Sequence, residues 1–255
     1  MNTVFISGAS SGIGEALAEE FAKHNYRLVL TARNKDKLIR IKRNLEIKYQ
    51  VRVIVFAADI SKKEERIVLC EEMKKRRLVI DVAVNNAGIG LSGSFLEQSE
   101  EKLQEMMRLN METLTMLTKF FWKDMKKRRK GKIINIASTG AYHPGPYTAV
   151  YYATKAYVLS FTEAAAREGK RDNVQITAVC PGAVKTQFAK CAGRRNNALA
   201  DTPQKVAEHI YKKAVIGQQK TVFIGLKYCI WIRFPRRIAS FLIERQQRRL
   251  LINDN

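Results

Sequence analysis

The chain is poor in acidic groups, cysteine, histidine and proline, and it has no long apolar run. It holds 24 Asp and Glu against 46 Lys and Arg, a formal net charge of +22. Its four cysteines, Cys70, Cys180, Cys191 and Cys229, form no C-x-x-C pair, which argues against a zinc site, a redox motif or a disulfide scaffold. No metal is expected. No apolar run approaches the roughly 18 residues that a membrane-spanning helix needs. The first residues, Thr3-Val4-Phe5-Ile6, read as a strand rather than as an export signal. Scattered thiols and no export signal make the cytoplasm the expected location.

Apolar residues make up 46% of the 255 positions, enough for a large core, so a disordered chain is excluded. The basic residues are spread out. They lie on presumed helix faces (Lys35, Lys37, Arg40, Lys42, Arg43), at 74–77, in a loop at 126–129 and in the tail. No helix-turn-helix, zinc finger or aromatic-lined basic groove accompanies them, so nucleic acid is not the expected ligand. A solvated lysine-rich surface explains the charge; attraction of an anionic cofactor or an acidic carrier protein is the alternative.

Short β-branched runs alternate with helical patterns. Strands are expected at 3–7, 27–31, 52–56, 79–85, 132–137, 174–179 and 221–224. Helices are expected at 13–24, 34–49, 63–76, 99–126, 151–168 and 203–216. Such alternation predicts an α/β chain with a doubly wound parallel sheet covered by helices on both faces. No linker or repeat divides it, so 1–255 reads as a single domain. The loops 89–98, 139–150 and 182–202 all follow strands at the carboxyl end of the sheet, where open parallel sheets bind ligands.

After the first strand comes Ser7-Gly8-Ala9-Ser10-Ser11-Gly12-Ile13-Gly14, then a helix. A helix start offers free amides and a positive dipole end to a pyrophosphate. Gly8 permits the tight turn, Gly12 lets backbone approach phosphate, and Gly14 lets helix and strand pack closely. A plain tight loop is the competing reading.

The G-x-x-x-G-x-G spacing departs from the usual G-x-G-x-x-G. It resembles the glycine motif of the short-chain dehydrogenase/reductase family, and the rest of that pattern follows in order across nearly the whole chain. The resemblance implies a Rossmann-type fold and a nicotinamide cofactor held by Gly8, Ser10, Ser11, Gly12, Ile13 and Gly14. The second strand ends Leu30-Thr31-Ala32-Arg33, with Ala32 where NAD-preferring members carry an acid. Arg33 offers a charge-assisted fork to a 2′-phosphate, so NADPH is expected, with Lys37 as a helper or simply a surface lysine. By resemblance Asp59 bonds the adenine amino group and Ile60 lies alongside. Alone, Asp59 or Ser61 could equally cap the next helix. In Asn85-Asn86-Ala87-Gly88, Asn85 is expected to bond backbone and steady the sheet. Asn86, Ala87 and Gly88 are expected to line the ribose. Pro181, Gly182, Val184 and Thr186 would border the nicotinamide.

Tyr151 and Lys155 are one helical turn apart and so share a face. With Ser138 and Asn110 they resemble the family's Asn-Ser-Tyr-Lys tetrad. Tyr151 would protonate a ketone oxygen, and Lys155 would lower its pKa and bond the ribose. Ser138 would orient the carbonyl, and Asn110 would hold a water linked to Lys155. Tyr152 has Ala156 four residues on and is read as packing. The substrate side is expected from Ser138, Gly140, Tyr142, His143, Tyr147, Tyr151 and Phe188, with 187–202 as a flap and 90–95 as another wall. His143 has the competing reading of a loop-surface residue.

The tail, 226–255, mixes Tyr228, Ile230, Trp231, Ile232, Phe234, Ile238, Phe241 and Leu242 with six arginines. A basic amphipathic helix is expected after Pro235. Covering the substrate pocket or a subunit interface is the favoured role; contact with an anionic membrane surface and a solvated end are the others. The resemblance implies a homodimer or homotetramer. The whole reads as an NADPH-dependent reductase that interconverts a ketone and a secondary alcohol. A β-ketoacyl or β-ketoester substrate is favoured, including one borne on an acidic acyl carrier protein. Steroid, sugar and hydroxy-amino-acid substrates stay open, as does a non-catalytic NADPH-binding regulator.

Overall fold

The structure, a computed structural model, describes residues 1–195, 200–217, 219–224 and 233–251. Part of the expected flap (196–199) and the tail residues Tyr228, Cys229, Ile230, Trp231 and Ile232 lie outside the described residues.

Among these residues one parallel sheet forms from β1 (Thr3–Ser7), β2 (Arg27–Ala32), β3 (Val53–Ala57), β4 (Val82–Asn85), β5 (Gly131–Ile136), β6 (Val174–Cys180) and β7 (Thr221–Phe223). The order is β3-β2-β1-β4-β5-β6-β7. Every residue of β1 is buried, as a central strand covered on both faces requires.

The helices are α1 (Gly12–Lys23), α2 (Lys35–Tyr49), α3 (Lys63–Lys75), α4 (Glu100–Met107), α5 (Leu114–Arg128), α6 (Ala149–Gly169), α7 (Gln187–Cys191), α8 (Pro203–Ile210) and α9 (Arg236–Leu250). Strand alternation sends side chains to opposite faces and divides the core in two. Val4, Ile6, Leu28 and Leu30 pack with Leu17 and Phe21 of α1, Leu38 of α2 and Ile210 of α8. Phe5, Val29 and Ile133 pack with Leu69 and Met73 of α3 and with Leu117 and Phe121 of α5 on the other face. Phe5 and Phe121 meet ring to ring at 4.7 Å.

The expected elements are present, with shifted ends. The strand expected at 79–85 begins at Val82, after Asp81 accepts the Thr3 amide at 2.8 Å. The helix expected at 34–49 begins at Lys35, because Asn34 Oδ1 accepts the Lys37 N–H and so caps it. The helix expected at 99–126 is two helices joined by a wider π-type turn, Arg108–Thr113. Thr113 Oγ1 donates to Ile60 O at 2.9 Å, tying that turn to the end of β3. A second π-type turn, Tyr211–Ile216, continues α8. Such insertions leave the apolar periodicity on each side intact, so pattern does not reveal them.

The strand order reverses between β1 and β4. Their carboxyl ends open the crevice where ligands sit in open α/β sheets.

Candidate active site

The glycine turn is locked to the end of β4. Ser7 Oγ accepts the N–H groups of Asn86 and Ala87, both at 3.0 Å. Asn86 Nδ2 donates to the carbonyls of Ser7 (2.9 Å) and Gly8 (3.3 Å). Asn86 therefore turns its side chain into the glycine turn, and sequence reasoning had not singled out Ser7. A polar residue closing an apolar strand was the available signal. Asn85 also corrects the expectation. Its Nδ2 donates to side chains, Asn135 Oδ1 at 2.8 Å and Thr118 Oγ1 at 3.1 Å, not to backbone.

Gly8 and Gly12 sit in the left-handed region at φ +67° and +59°. A Cβ on Gly14 would lie 2.2 Å from Gly8 O, so the start of α1 touches the turn directly. A Cβ on Gly12 would come within 3.0 Å of Thr186 Cγ2, which brings the segment after β6 against the turn. A cleft of about 330 Å³ opens there, bordered by Ser10, Ser11, Gly12, Lys37, Arg40 and Thr186. Ile13 packs against the core, and the first turn of α1 keeps its amides at the cleft. Lys185 adds a third cation, and Glu15 and Glu19 of α1 also border the cleft, so small residues, a helix start and a net positive lining suit the phosphates of a dinucleotide. Arg40 was missed as a cleft residue. It lies one turn beyond Lys37 on α2, which spacing could have shown.

Arg33 leaves β2 and pairs with Glu105 of α4 at 2.9 Å, its side chain 62% exposed. Asp59 follows β3. Its Oδ1 accepts the Ser61 N–H at 3.1 Å and the Ser61 hydroxyl at 2.7 Å. Neither residue caps α3, whose N-cap position is Lys62, so the capping alternative fails. Ile60 is buried beneath the π-type turn. After β6, Pro181 O accepts the Thr139 N–H at 3.0 Å, and Val184 pairs with Asp201. Gly182 lies between them. Thr186 caps α7 through Phe188 N–H.

The tetrad residues converge at the ends of β4 and β5. Asn110, in the π-type turn, is fully buried. Its Oδ1 accepts the Ile89 N–H at 3.0 Å, and its Nδ2 donates to Ile89 O at 2.9 Å and Thr154 Oγ1 at 3.0 Å. A Cβ on Gly88 would lie 3.0 Å from Asn110 Oδ1 and 3.5 Å from Lys155 Nζ, so these side chains crowd the same glycine. Ser138 Oγ accepts the Gly140 N–H at 3.1 Å, and Ser138 favours the ionised Tyr151 phenol. Thr154 joins the group unforeseen, donating to Tyr151 O at 2.7 Å.

Lys155 is 5% exposed and donates from Nζ to Ile136 O at 2.8 Å. Its ammonium lies 5.9 Å from the centre of the Tyr151 ring. Burial pushes the Tyr151 phenol up to about 12, while Arg194 and Ser138 pull it down. Desolvation is the largest cause and outweighs the lowering by Arg194 and Ser138. Burial likewise lowers Lys155 to about 8.

That depression has a sign. In the unfolded chain a lysine titrates near 10.4. Below pH 8 Lys155 is charged in both states, and the folded state bears the full desolvation penalty. Between about 8 and 10.5 the unfolded chain binds more protons, so the penalty lifts as pH rises. The wild-type chain, freed of nucleotide, is expected to gain up to about 3 kcal/mol relative to Lys155→Met across that window. Urea unfolding of both proteins at pH 7.5 and 10 measures this; a constant difference would contradict it.

On the substrate side, Phe188 stands over Tyr151 with ring centres 5.5 Å apart and fills the space beside Gly90. Gly140 and Gly145 are packed against the Tyr152 ring, as the packing reading of Tyr152 requires. Two expectations change. His143 is buried rather than on a loop surface. Tyr142 packs on Phe223 at 5.6 Å, which draws it towards the β6–β7 layer. Tyr147 stands at φ +62°, and the Arg248 guanidinium of α9 lies 5.2 Å over its ring.

Among the described residues no helix is long and apolar enough to cross a membrane, and no group of His, Cys, Asp and Glu could hold a metal.

Known proteins resemble this chain in sequence and fold. Residues 2–197 match the family model described as short chain dehydrogenase. A diacetyl reductase, (S)-acetoin forming, of Staphylococcus epidermidis is 33% identical over 73% of this chain and 72% of its own length. A short-chain dehydrogenase from Sphingobium yanoikuyae, solved in complex with NADPH, superposes with a TM-score of 0.84 at 27% identity, over 96% of this chain and 94% of that one. The bulky-bulky ketone specific alcohol dehydrogenase from Comamonas testosteroni gives a TM-score of 0.79 at 26% identity, over 96% and 92%. This chain is a member of the short-chain dehydrogenase family of oxidoreductases.

Proposed function

We propose that the protein is an NADPH-dependent carbonyl reductase that interconverts a ketone and a secondary alcohol. The observation that carries this reading is the placing of Lys155, whose ammonium lies 5.9 Å from the centre of the Tyr151 ring and, with Asn110, crowds Gly88 next to the glycine turn. NADPH supplies the hydride when bound; the residues below supply position and protons.

Gly12 at the start of α1, with Lys37 and Arg40 on the cleft wall, would hold the dinucleotide phosphates. Arg33 receives the 2′-phosphate, exchanging its exposed pairing with Glu105 for a stronger anion. Ser138 donates to the substrate carbonyl oxygen and holds it against Tyr151. Tyr151 then protonates that oxygen. A phenol near 12 keeps its proton at neutral pH, which suits reduction, and alcohol oxidation is favoured as pH rises. Lys155 bonds the nicotinamide ribose, and Asn110, clamped on Ile89, steadies the floor beneath it.

A β-ketoacyl or β-ketoester compound is the proposed substrate class. The diacetyl reductase and the ketone-specific alcohol dehydrogenase among the similar proteins support a ketone. NADPH bound to the Sphingobium relative supports the cofactor.

Arg33→Asp tests the cofactor half. An acid at this place repels the 2′-phosphate and can hold a ribose hydroxyl. The kcat/KM ratio of NADPH to NADH is expected to fall by on the order of 100-fold, since both the lost charge-assisted bond and the new repulsion act. An unchanged ratio would place the 2′-phosphate elsewhere.

A further inference from the structure

Arg194, just beyond α7, belongs to no motif, yet it is among the most tightly held residues near Tyr151. Its Nη1 donates to Oε1 of Gln247 at 3.2 Å. Gln247 is only 3% exposed, in the last turn of α9, and its Nε2 donates to the Tyr152 hydroxyl at 3.4 Å. The backbone is fixed too. Arg194 N–H donates to Ala189 O at 3.0 Å, Arg194 bridges Leu251, and Arg195 N–H donates to Leu250 O at 2.8 Å. Arg248, next to Gln247, lies over Tyr147. Thus α9 straps the segment after α7 across the substrate side.

The strap places a fixed cation where the proton donor works. Arg194 acts electrostatically on the Tyr151 hydroxyl. Among the described residues its side-chain partner is the amide oxygen of Gln247, and none of their ion pairs involves Arg194. A guanidinium has five N–H donors in a planar fork that matches a carboxylate. One bond to Gln247 fixes the fork and leaves donors for a ligand. Holding the cation beforehand lowers the ordering cost of binding.

We propose that Arg194, held by Gln247, anchors a carboxylate carried by the carbonyl substrate, so that within the β-keto class the acid is preferred to its neutral ester. This rests on the reading of Tyr151 as proton donor to a ketone.

The full-length protein, saturated with NADP⁺, is titrated by calorimetry with acetoacetate and with ethyl acetoacetate. Acetoacetate affinity is expected to fall by on the order of 10–100-fold in Arg194→Gln, the range for a hydrogen bond between charged groups. Ester affinity should move by less than about threefold, because no charged bond is lost. Gln247→Glu keeps α9 in place but offers Arg194 an internal carboxylate, and it should lose the acid preference in the same way. Equal acetoacetate affinity in wild type and Arg194→Gln, or equal losses for acid and ester, would overturn the proposal. Failure of acetoacetate to bind the wild type at all would do so as well. Oxidation of NADPH with each compound is followed separately. Binding of the acid through Arg194 without turnover of either compound would sink the reductase reading and leave the anchor standing.

Discussion

Tyr151→Phe is expected to lower the rate of NADPH-dependent ketone reduction by about 10²–10⁴-fold, the usual contribution of a positioned proton donor. The phenol hydroxyl is the proposed proton donor, and no neighbouring residue can replace it. Tyr152 is the nearest second phenol, with ring centres 6.0 Å away. Its ring is packed against Gly140 and Gly145, and its hydroxyl accepts from Gln247. The loss should fall on kcat, with NADPH affinity near wild type, because the glycine turn is untouched. Absorbance at the nicotinamide band gives the rate, and fluorescence titration gives the affinity. A panel of β-ketoesters, acetoacetyl thioesters, steroids and sugars ranks substrates in the same assay. Retained activity in the variant would remove Tyr151 from the chemistry. Tight NADPH binding with no turnover of any ketone by the wild type would favour a non-catalytic regulator.

Gly14→Ala is expected to be the most damaging single-atom-scale change. The added Cβ would lie 2.2 Å from Gly8 O, 2.9 Å from Gly8 C and 2.7 Å from Asn86 Nδ2. Two of these three are backbone atoms, which cannot swing aside as a flexible side chain would. Either α1 moves off the turn or the turn moves off β4. Both break the Asn86 bonds to Ser7 and Gly8 that shape the cradle. Overpacking of this kind costs about 1–3 kcal/mol in stability. The expected loss of NADPH affinity is on the order of 100-fold, because phosphate contacts depend on sub-ångström placement of amides. Urea unfolding and NADPH titration measure the two effects. Near-wild-type affinity would show that the phosphates do not rest on this turn.

The fold class is legible in the chain alone. Seven β-branched runs separated by helical periods can bury both faces of a sheet only as a parallel α/β layer, and that is the sheet observed. The glycine turn is legible too, because glycine spacing reports backbone geometry directly. Tyr151 and Lys155 were legible for the same local reason: one helical turn fixes their shared face.

Only the tertiary structure decided the rest, because the contacts join residues far apart in the chain. The π-type turn around Asn110 exists through bonds from Asn110 to Ile89 and from Thr113 to Ile60, which no local pattern encodes. Ser7 and Thr154 entered the site as partners of Asn86 and Tyr151. The burial of His143 and the packing of Tyr142 on Phe223 likewise come from residues distant in the chain, which their position in a polar loop does not reveal. The balance at Tyr151 followed the same rule: composition counts charges, but desolvation depends on what surrounds a group, and here it outweighs the lowering by Arg194 and Ser138. Arg194 shows this most plainly. Among 46 basic residues it has no distinguishing neighbour in the sequence, and it gains a place beside Tyr151 only when α9 folds back and Gln247 holds it there.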